Sequence, residues 1–182
     1  MHKLFLSLLV ATVSSMGAFA QNTFSLSSSS IGGQATTLQE FNGFGCTGEN
    51  QSPQLSWSNA PAGTKSFAVT MYDPDAPTGS GWWHWLVFDI DPATKSLQAN
   101  AGNPAAGLMP AGAIQSVTNY GTPGYGGPCP PEDHGWHTYI ITVYALKTDK
   151  LGLGTDTNPA VVGYNLWANT IEKASIVAYY KR

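Results

Sequence analysis

The chain has 182 residues, and its first twenty read as an export signal, so 162 remain to fold, one domain's worth. Removing Lys3 with that segment leaves seven Lys and Arg against eleven Asp and Glu, a net charge of −4, and there is no basic tract, which argues against nucleic acid and anionic membrane surfaces as default partners. With 42% hydrophobic and 10% charged residues the chain can pack a core, while twelve prolines and twenty glycines interrupt it too often for long helices, which excludes disorder, coiled coil and helical bundle.

Met1-His2-Lys3 supplies a short positive start, residues 4–13 a largely apolar run, and Ala18-Phe19-Ala20 the small-x-small pattern that signal peptidase accepts. Cleavage is therefore expected before Gln21. The apolar run falls short of the ~20 residues that cross a bilayer. Gln21 is not a lipid-accepting Cys, and no later stretch is apolar enough to span. The expected product is one soluble domain over residues 21–182, periplasmic or secreted, with no stable membrane insertion.

Residues 25–30 form a serine-rich lead-in, with no internal repeat or charge block after it. Cys46 and Cys129 lie in Gly/Pro-rich segments of the exported part, and an even pair in an oxidising compartment favours a bridge over the alternative of two buried free thiols. Neither Cys has a second Cys or a His at ligand spacing, so no metal site or cofactor is expected.

Apolar runs rich in aromatic and β-branched residues follow at 67–72, 85–90, 139–146 and 175–180, each bounded by turn chemistry, and they read as strands of a mainly all-β, antiparallel sandwich. One helix is expected near 159–173. Asn158 can cap it, Pro159 suits its first position, and Val161, Tyr164, Ala168 and Ile171 recur at helical spacing with Lys173 near the end.

The unusual chemistry falls in two expected loops, 73–84 and 119–137. The exported part has three histidines, His84, His134 and His137, all in or beside these loops, together with four of six tryptophans, Trp82, Trp83, Trp85 and Trp136. Turn chemistry accounts for either Asp73 or Asp75 alone, and a structural hydrogen bond for any one His. Their clustering in a chain so poor in charge points instead to a small polar-lined pocket with aromatic walls. A His beside an Asp is expected to favour its cationic form, and one or two such His with backbone N–H groups of a Gly-rich turn make an anion site for phosphate or a similar oxyanion.

Asp73-Pro74-Asp75-Ala76-Pro77, then Trp83-His84-Trp85, Gly126-Gly127-Pro128-Cys129-Pro130-Pro131 and His137-Thr138-Tyr139, in that order, resemble the phosphatidylethanolamine-binding protein family. The chain is most similar to its bacterial, Raf-kinase-inhibitor-like branch, and above all to exported members. The resemblance runs from about Phe24 to the C-terminus and takes in Asn50-Gln51-Ser52-Pro53-Gln54-Leu55-Ser56-Trp57. It implies a β-sandwich whose surface pocket binds phosphate or phosphorylated headgroups.

Carried over by residue, it implies a ligand-binding set of Asp73, Pro77, Trp82, His84, Pro131, His137 and Tyr139. His84 and His137 would donate to the anion, Asp73 would orient a His or meet a headgroup ammonium, Tyr139 would add a hydroxyl, and Asp75 would brace the loop. Thr138 stands where many eukaryotic members have Arg, and the insert 132–136 adds two acids beside the pocket.

No G-x-S-x-G nucleophile motif or activated thiol is evident, so a non-catalytic binding protein is expected, with a phosphorylated small molecule, headgroup or partner as ligand. The alternatives are an exported protease inhibitor or host-signalling protein that uses the stretch 121–127, and a phosphoester or amide hydrolase that uses Asp73, His84 and His137.

Overall fold

Strands that read as continuous apolar runs need cover on both faces, and this chain provides it. In the computed structural model residues 23–182 are described. The export signal at 1–20 and its cleavage point lie outside the described residues. The strands are β1 Ser25–Ser27, β2 Asn42–Gly43, β3 Cys46–Thr47, β4 Leu55–Ser58, β5 Ser66–Asp73, β6 Trp82–Ile90, β7 Ser96–Leu97, β8 Ile114–Gln115, β9 His137–Leu146 and β10 Thr170–Tyr180. A single α-helix among the described residues, α1 Pro159–Asn169, lies between β9 and β10, and a 3₁₀ turn spans Pro104–Ala106.

The large sheet has the order β10-β9-β5-β6-β8, the small one β1-β4-β7, and β2 and β3 form a separate hairpin. Every strand pair is antiparallel. The sandwich core joins Leu26, Leu55, Trp57 and Leu97 of the small sheet to Phe67, Val69, Met71, Trp85, Tyr139, Ile141 and Val143 of the large one. On the opposite face of the large sheet, Ala68, Leu86, Phe88 and Leu146 pack beneath Val162 and Leu166 of α1.

Register explains one irregularity. Phe67 pairs with Ile90 and Val69 with Val87, so two residues of β6 oppose Ala68. Asp89 takes up the extra residue with φ of 59°, and its Oδ1 accepts a hydrogen bond from the Leu151 N–H at 2.8 Å. Such a bulge reverses the in–out alternation. Ile90 thereby joins the same core as Trp85 and Val87.

Two expectations are corrected. The β5–β6 hairpin runs out to the pair Asp73 and Trp82, so Trp82, Trp83 and His84 belong to β6 and the connection is only 74–81. His137 likewise begins β9. The helix starts as expected, with the Asn158 side chain accepting from the Ala160 N–H at 2.9 Å, but it ends at Asn169 and not near 173. Thr170 is extended and β10 begins there, because the β-branched Thr170 gains Leu146 of β9 as a sheet partner, with Ile171 as a bulge before Glu172 pairs with Ala145. Ile171 and Lys173 are thus strand residues.

The buried stripe is also different: Val162 and Leu166, spaced i and i+4, face the sheet, while Val161 and Tyr164 are exposed at 47% and 65%. Both sides of this helix carry apolar residues at helical spacing, so periodicity alone had two solutions. Leu166→Ala is expected to cost about 2–5 kcal/mol through the cavity it leaves. Trp167→Ala, at a side chain 76% exposed, is expected to change stability by no more than about 0.5 kcal/mol. Chemical denaturation of the two variants checks which stripe packs.

Candidate functional site

A carboxylate taken out of water must find donors, and Asp73, 3% exposed at the end of β5, finds three. Its Oδ1 accepts from the N–H groups of Asp75 at 2.8 Å and Ala76 at 3.1 Å, which folds the connection back on itself. Its Oδ2 accepts from His137 Nδ1 at 2.7 Å. Asp75, as expected, braces the loop: its Oδ2 accepts from the Thr138 N–H at 2.8 Å. The connection is thus tied to the start of β9 at two adjacent residues.

His84, on β6 and 2% exposed, is held from the other side. Its Nδ1 lies 2.7 Å from the Gly126 carbonyl oxygen and 3.1 Å from that of Gly127. Carbonyls only accept, so Nδ1 carries the proton. The glycines permit this approach: a Cβ on Gly127 would lie 1.8 Å from the Gln39 carbonyl oxygen, and one on Gly126 2.3 Å from the Tyr120 ring. Asn50 completes the support, accepting from the Gly127 N–H at 2.8 Å and donating to the Tyr125 carbonyl at 3.2 Å. Burial pushes the His84 imidazole down to about 4, against the opposing pull of the two carbonyls and the Asp73 charge. The ring is therefore neutral near pH 7, with Nε2 as a lone-pair acceptor, and not the cationic donor to an anion that was expected.

Between these two anchors lies a cleft of about 210 Å³. All seven expected residues, Asp73, Pro77, Trp82, His84, Pro131, His137 and Tyr139, line it, and no Lys or Arg does. Two of its donors, Trp82 Nε1 and the Tyr139 hydroxyl, both buried, make no well-formed hydrogen bond among the described residues, although Tyr120 and Asp73 stand near them. Burial pushes the Tyr139 phenol up, and the nearby Asp73 charge adds to this, so the hydroxyl keeps its proton.

Sequence reasoning missed Tyr120, Phe44 and Cys129, which also line the cleft. Tyr120 donates to the Gly127 carbonyl at 2.8 Å and stacks on Phe41 and Phe44 at centroid distances of 4.2 and 5.7 Å. Phe44 is 70% exposed and sits at φ of 53°, an unusual conformation for an aromatic residue. Cys129 is bridged to Cys46, with Cα atoms 6.0 Å apart, so of the two readings the disulfide is the one found. An aromatic inside the expected loop 119–137 was the available signal for Tyr120. None pointed to Phe44.

Of the four clustered tryptophans only Trp82 reaches the cleft. Trp85 is in the core, donating to Gln115 Oε1 at 2.7 Å; Trp83 packs on Tyr72 at 4.6 Å; Trp136 lies under Lys181, 5.0 Å from ring centroid to Nζ. His134 is not a lining residue, but its Nδ1 is 2.8 Å from His137 Nε2. The carboxylate of Asp73 requires a proton on His137 Nδ1, so a neutral His137 accepts at Nε2 from His134. His137 is accordingly held at both nitrogens, unlike the free donor that the resemblance implied. The acids of the insert, Glu132 and Asp133, are exposed and do not line the cleft.

The architecture is a two-sheet β-sandwich with a carboxylate–histidine pair and a second, backbone-held histidine at one end of its large sheet. The chain belongs to the phosphatidylethanolamine-binding protein family, whose model matches residues 28–181. Among bacterial relatives it is 46% identical over 179 residues to the YbcL protein of Escherichia coli K12, covering 96% of this chain and 98% of the relative. It is 45% identical over 140 residues to YbhB of the same organism, covering 77% and 87%. These similarities place it in the YbhB/YbcL branch. The crystal structure of E. coli YbcL, described as a new member of the mammalian family, superimposes with a TM-score of 0.86 at 48% identity, over 87% of this chain and 98% of that one.

A buried neutral histidine couples the site to stability. The unfolded ring protonates near 6.5 and the folded one only near 4, so the full contribution is present above pH 6.5 and is lost as pH falls toward 4. The expected loss is about 3 kcal/mol. Urea titrations at pH 7 and pH 4.5 should show it, with a shallower dependence in His84→Asn, and the His84 ring resonance should not titrate between pH 8 and pH 5.

Proposed function

We propose that this chain is an exported, non-catalytic binding protein whose cleft takes the phosphate group of free phosphate or of a phosphorylated headgroup or small molecule. The observation that carries this reading is the pair of buried donors without a well-formed hydrogen bond, Trp82 Nε1 and the Tyr139 hydroxyl, in one small cleft beside His84. Buried donors of this kind are stabilised by an acceptor, and an oxyanion presents several. The apolar walls, Pro77, Pro131, Phe44 and Tyr120, exclude water around them and strengthen each bond. Export is supported by the signal-like residues 1–20 together with the Cys46–Cys129 bridge, which persists in oxidising compartments.

A hydrolase is the second reading, and the Asp73–His137 hydrogen bond of 2.7 Å favours it, since a carboxylate-oriented imidazole is a general base in waiting. His137 Nε2, the nitrogen that would take a proton, is however engaged by His134, while Thr78 in the cleft wall donates its hydroxyl to the Gly81 carbonyl at 2.6 Å and Cys129 is bridged.

Calorimetric titration at pH 6.5 is expected to show saturable binding of inorganic phosphate and phosphorylethanolamine without turnover. Trp82→Phe and Tyr139→Phe, each lacking one donor, are expected to weaken binding by about 5–20-fold. No binding at millimolar ligand overturns the reading. Release of phosphate or amine that survives repurification and is lost in His137→Ala establishes the hydrolase instead.

A further inference from the structure

We infer that the cleft selects oxyanions that carry a proton of their own, free phosphate and phosphate monoesters, over sulfate and phosphodiesters, with His84 as the residue that discriminates. The inference rests on the anion-binding reading above and names its ligand class.

The polar atoms of the cleft form an unbalanced set. Trp82 Nε1 and the Tyr139 hydroxyl are donors without a well-formed hydrogen bond among the described residues. Asp73 has both oxygens engaged, by two backbone N–H groups and His137. His84 is different. The carbonyls of Gly126 and Gly127 hold the proton on Nδ1, so the ring offers Nε2 as an acceptor. A fully deprotonated oxyanion has only acceptors, and one of its oxygens would then meet a lone pair. A singly protonated phosphate satisfies the whole set: its anionic oxygens accept from Trp82 and Tyr139, and its P–O–H donates to Nε2.

Charge points the same way. No Lys or Arg lines the cleft, whereas the Asp73 carboxylate does, so a monoanion is tolerated better than a dianion. Protonating the ring to receive sulfate is opposed by burial of the imidazole. The groups facing His84 are Asp73 from the end of β5, His137 and Tyr139 from β9, and Tyr120 from the connection before β9. Tyrosines this buried stay neutral, leaving Asp73 and His137 as the other ionisable side chains against it.

At neutral pH a phosphate monoester can supply this proton because its second dissociation lies near pH 6. A phosphodiester and sulfate have none to give. An intact phospholipid headgroup is a diester, so the site distinguishes a free phosphorylated headgroup from the same headgroup on its lipid.

The test is calorimetric titration of the purified protein at pH 7 with inorganic phosphate, sulfate, phosphorylethanolamine and its diester counterpart, glycerophosphorylethanolamine. Phosphate over sulfate, and monoester over diester, are expected by about tenfold or more. Monoester affinity is expected to fall roughly tenfold from pH 7 to pH 8, with uptake of one proton measured in two buffers of different ionisation enthalpy. His84→Asn keeps an N–H for the glycine carbonyls and, with its shorter side chain, places no acceptor at the Nε2 position, and it should bring both ratios to within about threefold of unity. Should that variant fail to fold, the wild-type ratios and proton uptake decide. Sulfate or the diester binding as tightly as its partner overturns the inference while the anion site stands. Binding of none of the four at millimolar concentration overturns the anion site itself, and this inference with it.

Discussion

One buried carboxylate organises the site. Asp73 ends a strand of the sandwich core, and its need for donors is met by the connection that follows it and by the first residue of β9. Each bond is charge-assisted and shielded from water, so together they fix the position of Pro77, the orientation of His137 and the depth of the cleft. Removing the carboxylate would loosen all three at once, leaving His137 to its bond with His134 and the connection to the Asp75–Thr138 tie.

The same economy explains how the sheet serves the site. β5 and β6 are covered on one face by the small sheet and on the other by α1, and the rigidity of that double cover extends to the hairpin end where Asp73 pairs with Trp82. A second bulge in β6, where His84 falls between the Tyr72–Trp83 and Met71–Trp85 pairs, breaks the alternation and puts His84 on the cleft side with Trp82 while Trp83 takes the other face. Binding residues on strands are held more closely than those on loops, which suits a cleft of this size.

Much of this was legible in the amino-acid order. The strands at 67–72 and 85–90 announce themselves by apolar run and turn punctuation, and the motif residues Asp73, His84 and His137 converge as the resemblance implied. What escaped was set by distance along the chain. Phe44 comes to the cleft through the Cys46–Cys129 bridge, a contact 83 residues long that no local pattern encodes. His134 was visible as a histidine, but only the path of residues 132–136 brings its ring onto His137. The helix was misread at its end because the pull on Thr170 and Glu172 comes from β9, more than twenty residues earlier, and such tertiary pairing overrides local periodicity.

The disulfide has a consequence for when the protein becomes competent. Cys129 belongs to the cleft wall, and Cys46 anchors the short segment on which Phe44 stands. Closing an 83-residue separation in the unfolded chain removes on the order of 4 kcal/mol of entropy in the chain-entropy account. Wall and staple are the same atoms. The shape of the cleft thereby depends on oxidation of the chain, and a reduced copy lacks the covalent tie between the Cys129 wall and the segment that carries Phe44.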